Sequence, residues 1–244
     1  VLSQKPWRIE SVLLFFAALF CCFFLTAVIA LTLQKFHVAG FVNQDDFGFL
    51  LLGTLGVHGV AWILIFIFLW LHQVNWRDAF GFRGPNPGKA LLLALGVLIL
   101  ILPITGGLKN LSDLAFEKIG WATENQRAIE MFLNAKSFWY RAYLGFFAVV
   151  LAPVAEEFIF RGILFPFFKQ RGFPKLAWFG VSFLFALIHG NPPIFISLFV
   201  LALALTWLYE KTDNLLAPIA VHASFNGINL IALQWLQKIS PHGT

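Results

Sequence analysis

Between Leu151 and Phe168 the chain reads LAPVAEEFIFRGILFPFF, an apolar run that encloses three charges, Glu156, Glu157 and Arg161. A carboxylate at bilayer depth is costly, so an ionisable group there reads as function with a partner to be named. On a helix Glu157 and Arg161 are four apart with the glutamate first, the favourable order for an ion pair. Glu156 lies about 100° round the helix from Glu157. The spacing therefore leaves one glutamate neutralised by Arg161 and the other free for chemistry. The alternative is a charge cluster that only locks two helices together. Two further apolar segments each carry polar residues: His189, with Phe185 four residues earlier, and His222 with Asn226, four apart on one helix face. Asn229 continues the latter stripe. Taken singly, each histidine fits an interhelical hydrogen bond. Taken with a spare carboxylate, they contain the parts for hydrolysis. A glutamate can take a proton from water, and an imidazole can orient that water or protonate a leaving amine. An Asn amide or an imidazole N–H can donate to a developing oxyanion.

The elements that must position these groups are membrane helices. Of 244 residues 59% are hydrophobic, including 30 Phe and 9 Trp, and mean hydropathy is +0.80. Charged residues are 12%, about half the share of a soluble domain. The fold class expected is an all-α, polytopic transmembrane bundle with a polar cavity inside the membrane. The length leaves no room for a sizeable soluble domain. A net charge of +5 reports loop charge and anionic-lipid contact in such a chain, and nucleic acid is not an expected partner. Cys21 and Cys22 are adjacent within the first apolar segment and outline neither a disulfide framework nor a metal site. The chain begins at Val1 rather than Met, so residues are expected ahead of it.

Apolar segments fall at Val12–Leu33, Phe47–Leu71, Ala90–Thr105, Phe138–Phe168, Leu176–Ile188, Ile194–Tyr209 and Leu215–Leu236. These give about seven spans, with six or eight if the long fourth one splits or a short one re-enters. The third segment is expected to end near Pro103 and Gly106–Gly107. A polar insertion, 106–137, has helical periodicity and reads as one or two amphipathic helices at the interface. Pro153 predicts a kink before Glu156. Lys5 and Arg8, then Arg77, Arg83 and Lys89, then Lys169, Arg171 and Lys175 weight the N-terminus and the second and fourth loops. That weighting places the N-terminus in the cytoplasm. Three regions follow: 1–137 with the N-terminal helices and the insertion, a catalytic core at 138–236, and a tail at 237–244. Counted by helical rise, Glu156 falls beyond the middle of its segment, His222 in the cytoplasmic half and His189 nearer the opposite face. Their convergence requires the His189 segment to be tilted or to start deep.

These residues resemble the motifs of the CAAX-protease and bacteriocin-processing family (the Abi or Rce1-like family) of intramembrane proteases. Its E-E-x-x-x-R is matched by Glu156-Glu157-Phe-Ile-Phe-Arg161, and its aromatic four before a histidine by Phe185-Ala-Leu-Ile-His189. Its H-x-x-x-N is matched by His222-Ala-Ser-Phe-Asn226. The stretch Tyr209–Pro218 resembles the approach to the third motif, and Asp78-Ala-Phe-Gly-Phe-Arg83 a weaker upstream element. The resemblance covers about Phe138–Leu236 and implies an all-α core whose helices enclose a cavity. It implies that Glu156 activates the hydrolytic water with help from His189, and that His222 and Asn226 stabilise the oxyanion. Glu157 and Arg161 would form the supporting ion pair, and Phe185 would support His189.

The leading expectation is an endopeptidase that cuts a membrane-associated peptide or protein near the membrane surface without a cofactor. Zinc is the alternative, with Glu156, His189 and His222 as three ligands. No H-E-x-x-H helix is present, and Arg161 occupies the glutamate that would then have to serve as base. The expected partners are membrane lipids, the substrate and, in a second reading, a membrane-protein complex that the chain binds without cutting, as an assembly or immunity protein would. Conduction of a proton or solute is the third reading.

Overall fold

The computed structural model of the protein describes residues 2–42, 47–82, 86–121 and 127–239. Arg83, Gly84 and Pro85, residues 122–126 of the insertion and 240–244 of the tail lie outside the described residues. Among the described residues six helices are long and apolar enough to cross a membrane: α1 (Ile9–Lys35), α2 (Phe47–Leu71), α3 (Pro87–Lys118), α5 (Phe138–Lys169), α7 (Pro192–Thr212) and α8 (Leu216–Ile239). Shorter helices include α4 (Arg127–Asn134) and the apolar α6 (Leu176–Leu187). The chain is an integral, multi-pass, all-α membrane protein.

Packing divides it into two units, Pro6–Trp76 and Val1–Lys5 with Arg77–Thr244. The first holds α1 and α2. There Trp7 packs edge-on to Phe68 at 5.0 Å, and the Arg8 amide donates to His72 Nε2 at 3.1 Å. Most of the other large side chains on α1, such as Leu14, Phe20 and Phe24, are exposed, as lipid-facing residues must be.

The second unit carries the motif residues. Lipid tails are as apolar as leucine, so helices associate in a membrane through close packing and hydrogen bonds rather than hydrophobic exclusion. Small residues permit that approach. Ala90 and Ala94 on α3 and Ala217 on α8 are buried beside Leu201, Leu205 and Leu208 of α7 and Val221 of α8. A hydrogen bond from Ser197 Oγ to the Thr105 carbonyl, 3.0 Å, ties α7 to α3. Contrary to the expected stop near Pro103, α3 runs on to Lys118 with Pro103 inside it. Thr105 Oγ1 donates to the Ile101 carbonyl at 2.7 Å, and a helix within a membrane tolerates an internal proline. The first half of the insertion is thus an extension of α3, and α4 is its second helix.

Helix α5 has π-helical turns at Phe147–Leu151 and Phe158–Leu164. Each lies just before a proline, Pro153 or Pro166. A proline offers no N–H to the carbonyl four residues back and crowds it, and a wider turn relieves both problems. The distortion expected at Pro153 therefore takes this form, and Glu156 and Glu157 sit between the two widened turns.

At about 1.5 Å per residue α6 rises only about 18 Å, short of the roughly 30 Å hydrocarbon core. Trp178 Nε1 near its start donates to Glu210 Oε2 near the end of α7, at 2.7 Å. The α6–α7 hairpin therefore leaves and regains the same face of this unit, with His189 at its turn. A half-length helix brings His189 to the depth that a full span would have overshot.

That face is well defined. Lys169 pairs with Glu210 at 2.8 Å, Lys5 Nζ with Asp213 at 3.1 Å, and the Lys5 amide donates to Gln170 Oε1 at 3.1 Å. The Leu215 amide donates to the Phe80 carbonyl at 2.9 Å. Burial holds the Lys5 ammonium below its ordinary value, with Asp213 opposing that shift. Gly81 has φ +72°, a conformation open to glycine at little cost, and a Cβ there would collide with the Asp213 carbonyl oxygen. Gly81→Ala should therefore cost about 3 kcal/mol, read as a lowered Tm in detergent; an unchanged Tm would show that this junction is slack.

Candidate active site

Glu157 and Arg161, on α5, are both 0% exposed, and Arg161 Nη1 donates to Glu157 Oε1 at 2.7 Å. A buried pair needs further hydrogen bonds to offset desolvation. Arg161 Nη2 supplies one to the Ala202 carbonyl on α7 at 3.0 Å, and the guanidinium lies over the Phe185 ring, 4.5 Å from its centroid. His222 on α8 supplies another, with Nδ1 2.8 Å from the same Glu157 oxygen. An ionised carboxylate only accepts, so the proton sits on Nδ1. The other ring nitrogen is turned towards Glu156, with Nε2 3.8 Å from Oε2.

One imidazole thus stands between two adjacent carboxylates whose surroundings differ. Glu157 is sealed, whereas the Glu156 side chain is 21% exposed. The gap of 3.8 Å to His222 is too long for a direct hydrogen bond and is the separation at which to look for a shared water. Phe185 is fully buried at the centre of the cluster. It touches the His222 ring edge-on at 5.5 Å, the His189 ring at 4.9 Å and Phe160 at 5.3 Å. His189 Nδ1 donates to the Phe185 carbonyl at 2.7 Å, which also leaves Nε2 as its acceptor nitrogen. Asn226 Nδ2 donates to the Ala148 carbonyl on α5 at 2.9 Å. A carbonyl can only accept, so the amide nitrogen must face it, and one N–H remains available.

The structure therefore brings Glu156, Glu157, Arg161 and His222 into one cluster and joins His189 to it through Phe185. Asn226 anchors one helical turn along α8, and no hydrogen bond links His189 to Glu156. Although both imidazoles have Nδ1 engaged and Nε2 free, as metal ligands do, no three His, Cys, Asp or Glu side chains among the described residues form a ligand group.

Sequence spacing misses two features. The carbonyls of Ala202 and Ala148 are backbone acceptors, which leave no trace in residue type. The second bond of Glu157, to His222, crosses 65 residues, and only the isolation of His222 in an apolar segment hints at it. The upstream element buttresses the cluster: Phe80 is fully buried and meets Phe158 edge-on at 4.6 Å. A Cβ at Gly162 would come within 2.7 Å of the Phe80 ring.

Residues 138–228 match the family described as type II CAAX prenyl endopeptidase Rce1-like. The UPF0177 protein YajF of Lactococcus lactis subsp. lactis (strain IL1403) is 26% identical over 185 residues, 75% of this chain and 83% of that protein. The UPF0177 protein YxdF of the same strain is 32% identical over 97 residues, 38% of this chain and 53% of that protein. A Lactococcus lactis subsp. cremoris UPF0177 protein in the abiGi 5'region is 34% identical over 92 residues, 37% of this chain and 38% of that protein. No solved structure matches the chain. Every residue of the cluster lies inside the matched segment, so it is this segment, residues 138–228, that is similar to the Rce1-like family.

Proposed function

We propose that this chain is an intramembrane endopeptidase in which Glu156 activates the attacking water. The observation that carries the reading is the unequal environment of two neighbouring glutamates around one imidazole, with only Glu156 reachable. Glu156 takes a proton from water while His189 Nε2 accepts the other hydrogen and orients the molecule. The water oxygen bonds to the scissile carbonyl carbon, and the carbonyl electron pair moves onto oxygen. The remaining Asn226 N–H donates to that oxyanion, and His222 assists through Nε2 whenever that nitrogen carries a proton. Collapse restores the carbonyl and breaks the C–N bond, and the proton held by Glu156 passes to the leaving amine. Glu157 and Arg161 hold His222 in orientation and do not touch substrate.

In this reading Glu156 does the proton-transfer work and no step is routed through a metal. The face on which Lys5, Gln170 and Asp213 meet is the cytoplasmic one in this reading, since the basic N-terminus and the second and fourth loops share it. The substrate is a membrane-associated peptide or protein. Purified protein in vesicles should cleave members of an apolar peptide pool, read by mass spectrometry. His189→Ala should lower the rate by about 10²-fold or more, and chelation should leave it unchanged. Undiminished cleavage by His189→Ala would overturn its role. A Glu156→Gln protein with full biological activity would favour a binding or assembly protein instead.

A further inference from the structure

A cavity of about 220 Å³ adjoins the catalytic cluster through Asn226. Its walls come from α8, α7, α3 and α4, with Ala148 of α5. Two of these helices, α3 and α4, precede the family-matched segment, so part of its lining belongs to this chain rather than to the shared module. It lies along α8 from Asn226 towards Leu233, away from the face where Lys5 meets Asp213.

The polar groups in it have a pattern. Asn226 and Asn229 give one N–H each to a carbonyl, of Ala148 and of Phe225, at 2.9 and 2.8 Å. Each keeps an amide oxygen and a second N–H. Across from them on α3, Asp113 pairs with Lys109 through Oδ2, while its Oδ1 is buried without a hydrogen-bond partner. A buried carboxylate oxygen without a donor costs free energy, which a ligand donor would recover. Lys109 already offsets the charge, so a neutral N–H suits the site better than a second cation. The rest of the lining, including Leu198 and Phe225, is apolar. Spare amide donors and acceptors one turn apart, facing an acceptor across an apolar slot, complement an extended peptide backbone with apolar side chains.

The geometry points to this cavity as the substrate cleft: an apolar peptide enters from the face opposite Lys5 and Asp213. Its backbone is held by Asn229 and Asp113 while its scissile bond lies at Asn226. The proposal rests on the endopeptidase reading for the bond being cut, but not for the binding itself.

The test uses full-length protein carrying Glu156→Gln in vesicles and a short apolar peptide bearing a benzophenone. Photocrosslinks should map to α3 between Thr105 and Asp113 and to α8 between Phe225 and Leu233. Leu198→Trp, which fills the slot, should weaken labelling at least 10-fold. Asp113→Leu, a second variant that leaves the slot open, should raise KM several-fold in otherwise wild-type protein with kcat little changed. Labelling confined to other helices, or undiminished in Leu198→Trp, would overturn the cleft. Correct labelling without cleavage by the wild-type protein would keep the cleft and remove the endopeptidase reading.

Discussion

Glu156→Gln should lower kcat for peptide cleavage by about 10²–10⁴-fold and leave Tm unchanged. Glutamine keeps the shape of the side chain and loses only its capacity to take a proton. Among the described residues Glu156 makes no salt bridge to a lysine or arginine, and its contact with His222 is a long one, 3.8 Å from Oε2 to Nε2. A structural role would predict the reverse result, a lowered Tm with catalysis lost only in proportion to unfolding. Measuring kcat on the folded fraction, with Tm from the same preparation, separates the two.

Arg161→Leu should destabilise the protein by about 3–5 kcal/mol, the cost of leaving a buried carboxylate without its counter-charge. Glu157 is fully buried and its Oε1 is shared between Arg161 and His222. Loss of the guanidinium strands that charge and removes the bond to Ala202 that ties α5 to α7. Arg161→Lys should recover only part of the loss. A single ammonium cannot span two acceptors on different helices and lie flat on Phe185 as the planar fork does. Replacing Glu157 and Arg161 together by leucine should cost less than Arg161→Leu alone, since it removes the stranded charge. Thermal unfolding in detergent measures all three. A Tm for Arg161→Leu equal to that of the wild type would show that the pair contributes nothing to the fold.

Much of this was legible because water-loving groups are rare in an apolar chain. Glu156, Glu157 and Arg161 stand out against LAPVA and GILFPFF, and a spacing of four residues is enough to pair the last two on a helix. His222 and Asn226 are visible for the same reason. The long α3 was not legible. Pro103 and Gly106–Gly107 look like a stop in a scale built on water, whereas a membrane helix keeps its hydrogen bonds through them because no other donor is at hand. The depth of His189 depends on α6 being half a span long; Leu176–Ile188 is short enough to re-enter, but its residue types do not say to which face it returns. Depth came from the Trp178–Glu210 bond, a contact across 32 residues. The cleft beside Asn229 was equally hidden, because it depends on how α3 and α4 lean on α8.

The division of labour between the two glutamates is tested most directly by one single-turnover cleavage in water labelled with the heavy oxygen isotope. Both the product and the peptide containing Glu156 are then read by mass spectrometry. If Glu156 acts as a base, the label is found in the new carboxyl terminus of the product and is absent from Glu156. Label in the Glu156 side chain would mean that the carboxylate attacked the carbonyl itself, and a failure to form any product would leave the cluster without the reaction assigned to it.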